Sequence, residues 1–142
     1  MTIWIKNFTI EELNALTADT MLGHMNIILT EKGENYLQGT MPVDERSVQR
    51  FGMLHGGASV ALAESLGSVA ASMCVEDGKH CVGVEINANH LKAVPSGTIV
   101  TGIAKPVRIG RTIHVWQIDI TNAKNEPVCT SRLTLAVIET RS

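Results

Sequence analysis

The sequence predicts an α+β fold in which a curved antiparallel sheet wraps one long central helix. Three observations lead there. The elements run helix, two strands, long helix, four strands. The turns between the later strands are short, which favours antiparallel pairing. The long helix carries almost no charge, so it must be covered on several sides.

Each element has its own signal. Thr9-Ile10-Glu11-Glu12 matches a capping box and predicts a short helix over residues 10–18, with Leu13 and Leu16 as its apolar side. Residues 25–31 and 36–43 read as strands joined at Lys32-Gly33, and 44–54 as an irregular polar loop. The long helix fills residues 58–74. Glu76-Asp77-Gly78-Lys79 is a turn. Val82, Val84 and Ile86 then alternate with Gly83, Glu85 and Asn87 at a strand's period of two. Residues 98–105 form the next strand, and Pro106 requires a bulge or an edge. In 112–121, His114, Trp116, Ile118 and Ile120 share one face. Residues 128–138 close the sheet.

A chain of 142 residues is expected to form one domain, 1–142, with a proper core. A net charge of −2 gives no basic excess for nucleic acid or a membrane surface. Cys74, Cys81 and Cys129 lack metal spacing and read as buried thiols in a reducing cytoplasm. The first residues hold no signal-peptide stretch, and the longest apolar run is too polar to span a bilayer.

That run, GGASVALAESLGSVAASMCV from Gly56 to Val75, contains a single charge, Glu64. An isolated carboxylate in apolar surroundings costs roughly 2–5 kcal/mol. It is therefore either a catalytic group or a structural acid, paired with an arginine or solvated at an oligomer interface; composition alone weighs these equally. His55-Gly56-Gly57 precedes the run. A helix start has free N–H groups and a positive partial charge, which suits a developing oxyanion, although Gly-Gly also makes a tight turn. Eight residues separate Gly56 from Glu64, about 12 Å along a helix at about 1.5 Å per residue. One reacting carbon cannot meet both within one chain, so a shared site requires two subunits.

Further motifs sharpen this. They are Met41-Pro42-Val43-Asp44, Gln49, the run from Phe51 through Ser59, Ala63 through Ser68, Glu85 through His90, and Ser131-Arg132-Leu133-Thr134. Together they resemble the hotdog-fold acyl-CoA thioesterases in the branch with a helical glutamate. Nearest are the enzymes that hydrolyse 1,4-dihydroxy-2-naphthoyl-CoA in menaquinone synthesis and the proofreading thioesterases of enterobactin synthesis. The resemblance implies a cytoplasmic homo-oligomer, a dimer of dimers forming a homotetramer. It would act on aromatic or medium-chain acyl-CoA, or on acyl carrier protein thioesters, without metal or organic cofactor. Glu64 would be nucleophile or general base. The Gly56 amide would polarise the carbonyl. His55 and Gln49 would position carbonyl and acyl group, and Ser68 would orient the water or the glutamate. Coenzyme A contacts map to Gly83, to His90, Leu91, Lys92 and Ala93, and to Val107, Arg108, Ile109, Gly110, Arg111 and Thr112. Lys92 stands where relatives often carry arginine, losing the forked donor geometry. Arg50 stands where they often carry proline.

Other candidates are weaker. His24, His80 and His114 read as satisfied or exposed histidines, and no residue group has zinc spacing. Ser59 and Ser65 lack a nucleophile elbow. A hotdog dehydratase uses a different histidine motif. A non-catalytic acyl-CoA-binding regulator usually brings a DNA-binding segment, for which this chain has neither room nor charge.

Overall fold

The computed structural model describes residues 1–141. The elements are α1 (Ile10–Thr17), α2 (Met21–His24), β1 (Ile28–Lys32), β2 (Leu37–Val43), α3 (Gly56–Met73), β3 (Lys79–His90), β4 (Thr98–Ile109), β5 (Ile113–Thr121) and β6 (Pro127–Glu139). The six strands form one antiparallel sheet in the order β1-β2-β4-β5-β6-β3. One face of the sheet packs on α3, which touches β2 through β6, so the expected helix-on-antiparallel-sheet architecture is the observed one.

The core follows from the two periodicities. From α3, Leu62, Ala63, Leu66 and Ala70 are fully buried. Across from them, Trp116, Ile118 and Ile120 of β5 and Leu133 and Leu135 of β6 are also fully buried. The one-face assignment for His114, Trp116, Ile118 and Ile120 holds, and each fully buried large side chain contributes about 1.5–3 kcal/mol. The capping box at Thr9 forms, with Glu12 N–H donating to Thr9 Oγ1 at 3.1 Å and Thr9 N–H to Glu12 Oε1 at 3.3 Å.

Three sequence expectations shift. The strand expected over 25–31 begins only at Ile28, because Thr20 caps the short helix α2 and Asn26 turns the chain at φ 54°. The strand expected to stop at 105 continues to Ile109, with the required bulge falling between Pro106 and Arg108. The period-two alternation in β3 breaks at Val84, where the ladder to β6 shifts between Gly83 and Glu85. Cys81 and Gly83 face the helix before this bulge, and Ile86, Ala88 and His90 after it. Their partners Val137, Leu135, Leu133, Ser131 and Cys129 share that face. Val82 and Val84 are solvent-exposed instead.

The strand order leaves β3 at an edge. Its twelve residues pair with β6 on one side and with nothing on the other among the described residues. A long edge with apolar side chains is a template for pairing with another chain. The three cysteines are free and buried, and burial pushes the Cys74 thiol up to about 12 and the Cys81 thiol up to about 11. His114 is only half as satisfied as expected. Its Nδ1 accepts from Trp116 Nε1–H at 3.3 Å, but its Nε2 is buried without a hydrogen-bond partner among the described residues.

Candidate active site

The start of α3 is built by the loop before it. Leu54 N–H donates to Val94 O and His55 N–H to Ser47 O, both at 2.8 Å, fixing the chain where it enters the helix. His55 is the N-cap. Its Nδ1 accepts from Gly57 N–H at 2.8 Å, so the ring belongs to the helix start. The Gly56 N–H donates to nothing among the described residues. A Cβ at Gly56 would come within 2.8 Å of His90 Nε2, so glycine is what allows the β3 histidine to lie against the helix start.

Together they border a cavity of about 470 Å³, whose walls include Gln49, Met53, Gly56, His90, Lys92 and Ala93. Leu91 also lines it. The Gln49 Oε1 accepts from Phe51 N–H at 2.7 Å and Met53 N–H at 3.2 Å. The carbonyl end of that amide thus holds the loop, and its NH₂ end remains a donor. Arg50 lies over the Phe51 ring at 4.4 Å, a cation–π contact. One chain therefore gathers the expected residues Gln49, Gly56, His90, Leu91, Lys92 and Ala93, with His55 capping beside them.

Glu64 stands elsewhere. It is half-buried in the single chain rather than buried, because its face of α3 looks toward the open edge at β3. Its Oε2 occupies the space where Gly83 would carry a Cβ. Among the described residues no lysine or arginine pairs with it. Ser68, one turn further, borders a different cavity of about 310 Å³, lined mainly by apolar groups such as Phe8, Leu13, Leu16, Val69 and Met73. The role of α1 as a wall of this second cavity was not read from the sequence; the available signal was its apolar side, Leu13 and Leu16, both of which line the cavity.

The remaining expected residues lie at the far end of the molecule. Val107, Arg108, Ile109, Arg111 and Thr112 are exposed around the β4–β5 hairpin. Gly110 and Arg111 border a cavity shared with Cys74, Val75 and Glu76, where α3 ends. Eighteen residues of helix, about 27 Å at about 1.5 Å each, separate that end from Gly56. No single chain brings residues 107–112 to the His90 cavity. Among the described residues no group of His, Cys, Asp and Glu stands close enough to hold a metal ion. Among the same residues no helix is long and apolar enough to cross a membrane.

Comparison with known proteins decides the family. The thioesterase superfamily model matches residues 51–129, more than half of the chain. The chain belongs to the thioesterase superfamily. Over 96% of its length this thioesterase is 47% identical to the 1,4-dihydroxy-2-naphthoyl-CoA hydrolase of Escherichia coli, covering 99% of that protein. It is 46% identical to the proofreading thioesterase EntH of Cronobacter sakazakii over 96% of this chain and 98% of that one. A thioesterase crystal structure from Haemophilus influenzae superposes with a TM-score of 0.94 at 52% identity, covering 97% of this chain and 96% of that one. The hotdog architecture and thioester hydrolysis, both expected from the sequence, stand on these relationships. The thioesterase's matched segment begins at Phe51 and so includes Gly56, Glu64, Gly83 and His90.

Proposed function

We propose that this thioesterase hydrolyses aromatic acyl-CoA to the free acid and coenzyme A at a site shared by two copies of the chain. The observation that carries the reading is the position of Glu64. It is an unpaired carboxylate beside Gly83 on a free sheet edge, with the open Gly56 amide and His90 at the other end of the same strand.

Antiparallel pairing of β3 with the β3 of a second copy joins the two ends. With the dyad midway between Gly83 and His90, near Ile86 and Asn87, the partner subunit's Gly83 comes opposite His90. The partner subunit's Glu64 then faces Gly56. The same pairing covers Val82 and Val84, which are 38% and 62% exposed in one chain. The cytoplasm suits such an enzyme, since all three buried thiols are free. A further pairing of dimers into a tetramer is part of the proposal.

In this arrangement the thioester carbonyl oxygen accepts from the Gly56 N–H at the positive end of α3, where negative charge develops during attack. The Gln49 NH₂ group and the His55 ring border the same end and orient the carbonyl and the acyl group. Glu64 either attacks the carbonyl carbon, giving a mixed anhydride that water opens, or removes a proton from water that attacks directly. In both, the carbon–sulfur bond breaks, coenzyme A leaves as a thiol, and Ser68 orients the water or the carboxylate. Single-turnover hydrolysis in heavy-oxygen water separates them: label in the Glu64 side chain requires the anhydride.

The apolar cavity beside Ser68 has the size to seat an aromatic acyl group. The carrier arm then runs toward Gly83, residues 90–93 and residues 107–112, the last from the other subunit. The name of one relative, a 1,4-dihydroxy-2-naphthoyl-CoA hydrolase, supports a naphthoyl-CoA substrate and with it a role in menaquinone synthesis; aryl carrier-protein thioesters are the second reading, beside relatives named as proofreading thioesterases. A panel of naphthoyl-CoA, benzoyl-CoA, medium-chain acyl-CoA and a hydroxybenzoyl carrier-protein thioester tests this through kcat/KM. An aromatic acyl-CoA should rank first; a medium-chain substrate leading the panel by tenfold or more contradicts the proposal.

A further inference from the structure

We propose that Glu126 is a specificity-determining residue that weakens the binding of phosphate-bearing thiol carriers at Lys92. The inference deepens the reading of residues 90–93 as part of the coenzyme A site and rests on it. Lys92 stands on the rim between two cavities, the one at Gly56 and a neighbouring one of about 280 Å³ that Thr98, Asn122, Lys124 and Glu126 also border. A phosphate entering either meets Lys92 as a flexible point charge.

Lys92 is already engaged. Its Nζ lies 3.4 Å from Glu126 Oε2. The other carboxylate oxygen of Glu126 accepts from Asn122 Nδ2 at 3.0 Å. Asn122 in turn is held by the turn it closes: its Oδ1 accepts from the N–H groups of Lys124 at 3.0 Å and Glu126 at 2.9 Å. Its own N–H donates to Glu126 O at 3.0 Å, and Asn125 completes the turn at φ 62°. The β5–β6 loop therefore aims this carboxylate at Lys92 rather than leaving it to wander. The hydrogen bond from Asn122, and then the Lys92 charge, hold the Glu126 carboxyl below its usual range, so it is ionised at neutral pH.

A phosphate approaching Lys92 meets this fixed negative charge. Either Lys92 leaves Glu126, or two anions share one ammonium; both outcomes weaken binding. A half-exposed ion pair of this kind adds little to folding stability, so its consequence falls on the ligand. The discrimination acts on the carrier and not on the acyl group, because a thioester without phosphates has nothing to place at Lys92.

Glu126→Gln removes the charge and keeps an oxygen for Asn122. Three quantities test the proposal: the calorimetric Kd for coenzyme A, kcat and KM for benzoyl-CoA, and KM for the benzoyl thioester of N-acetylcysteamine, which has no phosphate. We expect Kd and the benzoyl-CoA KM to fall about three- to tenfold, as loss of a like charge several ångströms away allows. The gain should shrink at high salt. We also expect kcat and the N-acetylcysteamine KM to stay put, and the gain to vanish in a Lys92→Met background. An unchanged Kd, a gain that survives Lys92→Met, an equal shift for both thioesters, or no coenzyme A binding to either protein overturns the proposal. Tighter coenzyme A binding by Glu126→Gln, with no thioester of it hydrolysed by the wild type, sinks the functional reading while this assignment stands.

Discussion

Gly83→Ala separates the chemistry of Glu64 from the stability of the fold. The glycine sits on the edge strand β3, facing α3, and the Glu64 Oε2 occupies the volume its Cβ would need. The obstructing atom is the tip of a flexible side chain, so the protein accommodates alanine by swinging the carboxylate aside by roughly 1 Å. A displacement of that size in a reacting group lowers the rate about 100-fold, which is about 2.7 kcal/mol in the barrier. The fold does not suffer. Alanine in a strand loses less conformational entropy than glycine, so thermal stability should hold or rise by up to about 1 kcal/mol. Thiol release from benzoyl-CoA, followed at saturating substrate, gives kcat, and a thermal melt on the same preparation gives stability. A variant with wild-type kcat would refute the claim that the carboxylate is needed where Gly83 leaves room for it. A variant that loses kcat because it melts early would refute the claim that the glycine serves the carboxylate and not the sheet.

Other consequences follow from the same geometry. Leu66 is fully buried between helix and sheet, so Leu66→Ala should lose about 2–5 kcal/mol in denaturant unfolding; a loss below 1 kcal/mol would show that the core relaxes around it. Burial pulls the His114 pKa below its usual 6.5, so the folded protein resists a proton that the unfolded chain accepts. Stability should be complete above about pH 6.5 and decline as the pH falls below it, by at most about 1.4 kcal/mol per pH unit. His114→Phe should flatten that decline in urea titrations at pH 5 and 7, and an equal slope in both proteins would count against it. With its thiol pushed up to about 12 and buried, Cys74 should resist iodoacetamide at pH 8 in the native protein and react on unfolding; rapid native labelling, mapped by mass spectrometry, would contradict the burial.

Much of the fold was legible because its signals are local. The Thr9 capping box, the long helix with its single charge and the alternation from His114 to Ile120 each fix an element from residues within a few positions. What was not legible depended on distant partners. Nothing near Val84 announces a bulge, because the register shift is set by the ladder to β6; it decides that Gly83 and His90 both face α3. The start of β1 was misplaced because Asn26 takes a left-handed conformation that other residue types at that position would rarely adopt. At the site, the eight-residue spacing already said that Gly56 and Glu64 could not meet within a chain, and in the structure Gly56 lines the His90 cavity while Glu64 lies beside Gly83. Glu64 proved half-buried rather than buried, because the sheet ends at β3 beside it. Residues 122–127 read as a loop from the sequence, but the hold of Glu126 on Lys92 was invisible, since the two residues are more than thirty positions apart.

The shared site is tested most directly by mixing two inactive chains. Glu64→Ala removes the carboxylate, and Gly56→Val drives a side chain into the His90 ring at the helix start. Each homodimer should be inactive. In a mixed dimer, purified through two different tags, one site combines an intact Gly56 with an intact Glu64 and the other combines both lesions. The verified mixed dimer should therefore recover about half the wild-type activity per dimer. Activity no higher than that of the two parent homodimers would mean that Gly56 and Glu64 do not meet across two chains.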